Sequence, residues 1–252
     1  MTRNALIARL VKYLPLLLLA MAWEGASRFE LVSSSALPSL TKVAQAWWDL
    51  ALGGDLVENG AASLWRLAAG LAIAIVVGAA LGIGMAWWRP ADIALGPLVE
   101  MFYPLPKSAL IPVTALWLGF GDGSKILLIA MGCMLPVTLG AYNGARSSER
   151  VLVWSARSLG ASKLRILRDV VLPSALPEML SGIRTALAIS FVLLVASELI
   201  VARAGLGYLI GFLGSNGTYD SMFAVVLTVA FMGFVADRMY LLIMRRALAW
   251  RD

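Results

Sequence analysis

Residues Trp154–Pro173 read WSARSLGASKLRILRDVVLP and form a basic, amphipathic segment between two long apolar runs. Gly160 permits a positive φ, at which helices commonly end and turn. The spacing predicts a short, stiff first helix with one smooth face, made of Leu152, Ser155, Ala156 and Leu159. It predicts a second helix with an apolar stripe, made of Leu164, Leu167, Val171 and Leu172. Pro173 and Pro177 are expected to break the backbone before the next span.

Composition assigns the chain to the membrane. Hydrophobic residues make up 60% of its 252 residues, charged residues 14%, and the mean hydropathy is +0.83. Soluble domains carry about 25% charged residues, and a transmembrane helix needs roughly 20 apolar residues. The expected fold is an all-α integral membrane protein with about six transmembrane helices, forming a single domain over residues 1–252.

Other classes of function find little support in the residues. The chain has no histidine and one cysteine, Cys133, so the usual general base and the commonest metal ligand are missing. We predict no catalytic residue and no metal site. The net charge of +6 is concentrated between apolar runs, where membrane topology explains it without nucleic acid.

The N-terminal region is predicted to contain a first helix over residues 1–30 and an outer loop over 31–62. Arg3, Arg9 and Lys12 precede the first apolar run, a pattern typical of a cytoplasmic anchor. Ala20–Ala22 is similar to a signal-peptidase site, but an uncleaved helix is favoured. Within the outer loop an amphipathic helix is expected, either on the membrane surface or packed on the bundle, with its apolar face made of Val43, Ala46, Trp47 and Leu50.

The core, residues 63–252, is expected to contain the other spans, at about 64–88, 95–120, 126–142, 177–201 and 222–244. The second of these is interrupted by four prolines and is predicted to be a broken helix lining a pathway. Residues 121–124 are expected to form an outer turn. Two small-residue patterns, Gly78-x-x-x-Gly82 and Gly140-x-x-x-Gly144, predict close helix approach.

The loop over residues 146–176, called the basic loop below, sets the predicted topology. It contains two acidic residues, Glu149 and Asp169, and six basic residues: Arg146, Arg150, Arg157, Lys163, Arg165 and Arg168. The positive excess places the basic loop in the cytoplasm, and with six spans both termini are also cytoplasmic.

The spacing in the basic loop resembles the EAA motif of ABC-importer permeases, Glu-Ala-Ala, then Gly, then Ile-x-Leu-Pro. The pattern falls on Trp154, Ser155, Ala156, Gly160, Val170, Leu172 and Pro173. Six other stretches are similar to the nitrate/sulfonate/taurine branch of this family: 36–39 (ALPS), 61–66 (AASLWR), 117–121 (WLGFG), 158–162 (SLGAS), 197–200 (SELI) and 205–208 (GLGY). The chain departs from the motif at Trp154, which stands where the family has glutamate.

The resemblance implies a type I importer permease that passes a small, anionic solute across the bacterial inner membrane. It further implies two copies of the permease, most simply a homodimer, two cytoplasmic ATP-binding subunits that carry ATP and Mg²⁺, and a periplasmic solute-binding protein. By analogy the coupling helix is Ala156–Lys163, and the ATPase-coupling residues are Ser155, Ala156, Leu159, Gly160, Ala161, Lys163, Val170, Leu172 and Pro173. Independently, the sequence has no G-x-x-x-x-G-K-[ST] phosphate loop. A free-standing secondary transporter or channel, with the loop as a topological anchor, is the alternative.

Charged residues within the apolar runs are candidates for the substrate pathway, because charge is costly at membrane depth. Lys107 follows Pro104 and Pro106, where it would line the path of an anion, or else snorkel to an interface or pair with Glu100. Arg184 and Glu198 are 14 residues apart, about 21 Å along one helix, and cannot pair directly. Both are possible anchors or gate partners, whereas Asp237 and Arg238 are expected to pair with neighbouring helices.

Overall fold

A computed structural model describes residues 3–148 and 150–250, with side chains from Leu14 onward, except for Arg150. Glu149, counted above in the charge of the basic loop, lies outside the described residues, as do residues 1 and 2 of the predicted first helix. Helices dominate this part of the chain. They are α1 (Arg3–Arg28), α2 (Leu40–Leu52), α3 (Asp55–Trp87), α4 (Arg89–Phe102), α5 (Ile111–Leu118), α6 (Asp122–Arg146), α7 (Arg150–Ser158), α8 (Lys163–Ile166), α9 (Leu172–Val201), α10 (Leu206–Ser215) and α11 (Tyr219–Ala247).

Four stretches among the described residues are long and apolar enough to cross a membrane, namely α3, α6, Lys163–Val201 and α11. Two shorter apolar segments, Lys107–Leu118 and Leu206–Ser215, accompany them. The chain is therefore a multi-pass membrane protein, as its composition predicts.

The contacts divide the chain into two compact units. One contains residues up to Asn59 together with Leu209–Ala230, and the other contains Gly60–Tyr208 and the chain from Phe231 onward. The prediction of a single transmembrane domain stays a prediction.

The first unit joins α1 to α2. The indole of Trp23 donates to the carbonyl of Pro38 (2.8 Å) and packs edge-on against Phe223, with ring centroids 5.6 Å apart. Glu24 accepts from the backbone N–H of Leu40 (2.7 Å), at the start of α2. Helix α2 lies where an amphipathic helix is predicted, and of the predicted apolar face Val43 is buried whereas Trp47 is exposed. Only part of the region 31–62 is a loop, because α3 already begins at Asp55.

The second unit is built around the packing of α6 on its neighbours. A Cβ added at Gly82 would lie 2.3 Å from the carbonyl oxygen of Thr138, and one at Gly140 would lie 2.7 Å from that of Glu178. The two predicted glycine pairs therefore do mark close helix approach. The buried core between these helices includes Leu128, Ile129, Cys133, Val137, Ile183 and Leu187.

The segment over residues 95–120, predicted to be a broken helix, is interrupted at two of its four prolines. Helix α4 ends at Phe102, a 3-10 turn covers Lys107–Leu110, and α5 begins at Ile111. The break is at Pro104 and Pro106, whereas Pro97 lies inside α4. The prediction of a turn over 121–124 is wrong for its last three residues, since α6 begins at Asp122. An acidic residue in the first turn favours helix there.

The predicted break at Pro173 and Pro177 is also wrong. A single turn of π-helix, Leu167–Val171, leads directly from α8 into α9, and Pro177 lies inside α9. Pro173 is in the first turn of α9, where its missing N–H costs little. The N–H of Leu172 donates to the carbonyl of Leu167, and the Ser174 hydroxyl donates to that of Val170 (2.8 Å).

Candidate functional site

The basic loop contains two short helices, α7 and α8, joined by a tight turn. Helix α7 closes with a Schellman motif, in which Gly160 N–H donates to Arg157 O (2.9 Å) and Ala161 N–H donates to Ala156 O (3.0 Å). Gly160 has φ of +78°, as its position predicts. Ser162 then caps α8 by accepting from the backbone N–H of Arg165 (3.3 Å).

The expected coupling helix over Ala156–Lys163 needs correction. Helix α7 ends at Ser158 and α8 begins at Lys163, so residues 159–162 form the turn between them. The positive φ of Gly160 is the physical reason, because a right-handed helix cannot continue through it.

The basic loop packs against the neighbouring helices through one small apolar cluster. Ala145, Ile166, Val171 and Ala175 form its buried centre, and Ala156, Ala161 and Val170 are packed against it. The predicted faces are therefore partly wrong. Ala156 turns inward, away from Leu152 and Ser155, and the predicted stripe omits the buried Ile166.

The tip of the loop presents large apolar side chains to solvent. Leu159 is 85% exposed and Leu164 is 75% exposed, on either side of Gly160. Lys163, Leu172 and Pro173 are also exposed. Trp154 is 63% exposed and lines a groove of about 420 Å³ together with Trp87, Arg146 and Arg157. An exposed apolar tip with basic neighbours is the chemistry of a protein-docking surface.

Lys107 lies at the break between α4 and α5. Its ammonium donates to the carbonyls of Phe102 (2.6 Å), Tyr103 (2.9 Å) and Leu105 (2.7 Å). All three of its protons therefore go to backbone acceptors at the end of α4, not to Glu100. Its stem lines an apolar cavity of about 200 Å³ between α3, α4 and α6.

Arg184 pairs with Asp237 across α9 and α11. The guanidinium Nε donates to Asp237 Oδ1 (2.8 Å) and Nη2 donates to Oδ2 (3.1 Å). The expectation that Asp237 pairs with a neighbouring helix is confirmed. Arg238 instead lies over the ring of Phe234, 4.9 Å from its centroid.

Glu198 is fully buried and belongs to a charge cluster with Ser63, Arg66, Asp122 and Lys125. Ser63 Oγ donates to the carboxylate (2.8 and 2.9 Å), and Arg66 Nη1 donates to Oε1 (2.6 Å). Arg66 also donates through Nε to Asp122 Oδ1 (2.7 Å). Of these residues, Glu198 is the one that the sequence predicts individually as a site candidate.

Backbone groups complete the charge cluster. The N–H of Gly207 donates to Glu198 Oε2 (2.9 Å), and that of Leu206 donates to Ser63 Oγ (2.8 Å). Lys125 donates to the carbonyls of Phe120, Gly121 and Val201, at 2.5, 3.0 and 2.6 Å. In the described part of the chain every buried side-chain nitrogen and oxygen has a hydrogen-bond partner. The charge cluster therefore fastens the end of α9 to α3 and α6.

One signal in the sequence could have found the charge cluster. Ser63 and Arg66 lie in the 61–66 stretch, Glu198 in 197–200, and Gly207 in 205–208. These are stretches singled out above for their resemblance to one branch of a family, and the structure brings them together. Among residues 3–148 and 150–250, no group of three or more acidic or cysteine side chains could hold a metal ion.

Comparisons with known proteins agree with this geometry. A family model described as binding-protein-dependent transport system inner membrane component matches residues 70–248. The taurine transport system permease protein TauC of Escherichia coli K12 is 33% identical over 240 residues, covering 93% of this chain and 87% of TauC. The aliphatic sulfonates transport permease protein SsuC of Bacillus subtilis 168 is 32% identical over 239 residues, covering 95% of this chain and 86% of SsuC.

Solved structures with a similar fold are also known. A chain from an inward-facing structure of the MetNI methionine ABC transporter superposes with a TM-score of 0.65 at 21% identity, covering 78% of this chain and 97% of that one. A second crystal form gives a TM-score of 0.62 at 22% identity. At this identity the likeness concerns the fold.

Proposed function

Because the chain belongs to the binding-protein-dependent transport system inner membrane components and is a transmembrane subunit of an ABC importer, we propose that it carries a small sulfonate-class anion into the cell. The fold is that of a type I importer permease. The names of the relatives, taurine and aliphatic sulfonate permeases, support the substrate class. Because the chain belongs to this family, the alternative function as a free-standing secondary transporter or channel is not favoured.

The energy for transport comes, in this proposal, from separate chains. Two ATP-binding subunits would hold ATP and Mg²⁺, since this sequence has no phosphate loop. Two copies of this chain would form a homodimer, and a periplasmic solute-binding protein would deliver the solute. The basic loop and both termini would lie on the cytoplasmic side of the inner membrane, as the distribution of positive charge indicates.

The basic loop is the proposed contact with the ATP-binding subunits, and its exposed apolar tip is the observation that carries the proposal. Leu159 and Leu164 are exposed beside a turn fixed by Gly160. The nine residues assigned to coupling divide by exposure. Six are exposed and would touch the partner: Ser155, Leu159, Gly160, Lys163, Leu172 and Pro173. Three pack inward and would hold the loop in shape: Ala156, Ala161 and Val170.

The test is a pull-down of the tagged chain carrying Gly160→Val, with the copurifying ATP-binding subunit quantified by mass spectrometry. No neighbour lies within 4 Å of a Cβ at this position, so the change acts through the backbone, which must keep φ at +78°. A β-branched residue strongly disfavours that conformation. We expect loss of at least nine-tenths of the bound subunit and of uptake, with membrane insertion unchanged.

Gly54→Val is the matched control. Gly54 also has positive φ, +88°, and open space around it, but lies between α2 and α3. We expect this variant to retain the ATP-binding subunit. If the Gly160 variant binds the subunit and takes up solute at the normal rate, the assignment of the basic loop to coupling is wrong.

A further inference from the structure

The exposed face of α9 is polar over the half nearest the basic loop. Its exposed residues there recur at helical spacing and are polar or small: Glu178, Ser181, Arg184, Thr185 and Ala188. Helix α3 has a very different exposed face, which includes Ile73, Val76 and Val77. Lipid tails suit the face of α3 but offer no hydrogen-bond partner to the Glu178 carboxylate or to the remaining N–H groups of Arg184, although the Thr185 hydroxyl donates to the carbonyl of Ser181 (3.2 Å).

The polar face lies at membrane depth. Arg184 is 11 residues beyond Pro173, about 16 Å along the helix. Asp237 is eight residues before Arg245, about 12 Å along α11. With Pro173 and Arg245 taken as the ends of the two spans, these distances place the pair near the middle of a hydrocarbon core of about 30 Å. Charged residues at such depth almost always face the bundle interior or a water-filled cavity.

The Arg184–Asp237 pair is nevertheless open on one side. The Arg184 side chain is 46% exposed and that of Asp237 is 33% exposed. Asp237 occupies two of the five guanidinium N–H groups. The other N–H groups of the same side chain are available to a second planar or tetrahedral anion, which arginine binds through paired hydrogen bonds.

We propose that the polar face of α9 is a wall of a water-filled path, and that Arg184 binds the anionic group of the solute there, in competition with Asp237. This inference rests on the proposed function for the identity of the solute. Asp237 serves two purposes in it: it compensates the cation when the path is empty, and it keeps the anion from binding too tightly to leave.

Water access is tested by cysteine labelling. The one native cysteine, Cys133, is fully buried, so the unmodified chain provides the blank. Single cysteines are introduced at Ser181, Ala188 and, as the matched control, at Val76 on the apolar face of α3, which is 69% exposed. Labelling uses charged, water-soluble thiol reagents on membranes. We expect Ser181→Cys and Ala188→Cys to react at least tenfold faster than Val76→Cys.

The role of Arg184 is tested by the charge of the reagent. Sulfonatoethyl methanethiosulfonate is an anion, and trimethylammonioethyl methanethiosulfonate is a cation with the same reactive group. In the Ser181→Cys chain the ratio of their rates should rise with Asp237→Asn and fall with Arg184→Gln, by roughly threefold each, as expected for one unit charge nearby in water. Arg184→Lys keeps the charge and should preserve the ratio.

The possible outcomes separate this inference from the proposed function. Equal labelling of Ser181→Cys and Val76→Cys, or a ratio indifferent to Arg184→Gln, overturns the inference. The labelling rates are measured without added ATP or solute, so they remain informative if the basic loop does not bind an ATPase. Taurine, added to the copurified transporter, should slow labelling of Ser181→Cys. Labelling with the expected charge order but without protection by taurine supports the anion site and counts against a sulfonate solute.

Discussion

Glu198 shows how one buried charge is made tolerable in this protein. Its carboxylate receives hydrogen bonds from Ser63, Arg66 and the backbone of Gly207. Burying an unpaired carboxylate costs several kcal/mol, and only a complete set of partners offsets that cost. A Cβ at Gly205 would lie 2.4 Å from the Glu198 carboxyl group. The chain following α9 can approach the carboxylate this closely because glycine stands there.

Glu198→Gln should therefore destabilise the protein strongly. Glutamine keeps the size of the side chain but removes the buried charge that faces Arg66 Nη1, and it leaves that guanidinium paired only with the more exposed Asp122. We expect a loss of about 3–5 kcal/mol in the free energy of unfolding, measured by detergent titration of the purified protein in mixed micelles. Glu100→Gln, at an exposed position of α4, is the control and should change stability by less than about 0.5 kcal/mol.

For single residues, the sequence predicts which positions carry an unusual charge but not which groups those charges pair with. Arg184 and Glu198 stand out because they interrupt apolar runs, and so both were singled out. Ser63 and Arg66 are more than 130 residues from Glu198, and no periodicity links such distant positions. Lys107 was found for the same reason as Glu198, but its partners are carbonyls, which every residue carries and no sequence pattern marks.

At the level of helices, glycine decides how closely α6 and α9 pack. A Cβ at Gly182 of α9 would lie 2.5 Å from the carbonyl oxygen of Pro136 and 3.3 Å from Gly140 Cα. Contacts this close bring two backbones together and favour helix association in membranes, where lipid removes the hydrophobic driving force. The two helices would have to separate to admit even a methyl group.

Gly182→Ala should destabilise the protein although alanine is the better helix former. The added methyl forces the backbones apart, at a cost of about 1–3 kcal/mol. Gly84→Ala in α3 is the matched control, because a Cβ there meets nothing within 4 Å. It should be neutral or stabilising by up to about 1 kcal/mol. Thermal unfolding followed by tryptophan fluorescence compares the two, and an equal response from both would contradict this account of the packing.

Helix boundaries are where prediction from sequence did worst. The sequence predicts breaks in the segment that contains Pro97 and at Pro177, yet both prolines lie inside helices. Pro136 also lies inside a helix, within a span that is predicted to be continuous. Inside a membrane bundle, neighbouring groups and local π-turns can compensate for the backbone hydrogen bonds that proline removes, and a π-turn, Leu167–Val171, lies directly before Pro173. The turn at Gly160 was predicted correctly, because a positive φ in the middle of an amphipathic segment depends on local chemistry alone.

At the scale of the whole molecule, the unbroken run from Lys163 to Val201 should matter for transport. Replacing Leu176 and Pro177, which lie in α9 and outside the residues assigned to coupling, with a Gly-Gly pair would introduce a flexible joint while leaving the loop tip unchanged. We expect the ATP-binding subunit to copurify normally but uptake per ATP hydrolysed to fall at least fivefold. The same pair at Leu242 and Ile243, both 59% exposed on α11, should leave that ratio near normal.

The π-turn at Leu167–Val171 thus has a mechanical consequence. Because it joins α8 to α9 with no intervening loop, the loop tip and Arg184 lie on one helical rod, about 30 Å apart along its axis. A rod transmits rotation as well as displacement. A tilt or twist imposed at Lys163 would swing the Arg184 guanidinium relative to Asp237 on another helix, and would change how strongly the two hold each other. The movement imposed by the ATP-binding subunits and the release of the solute from Arg184 would then be a single movement of one helix.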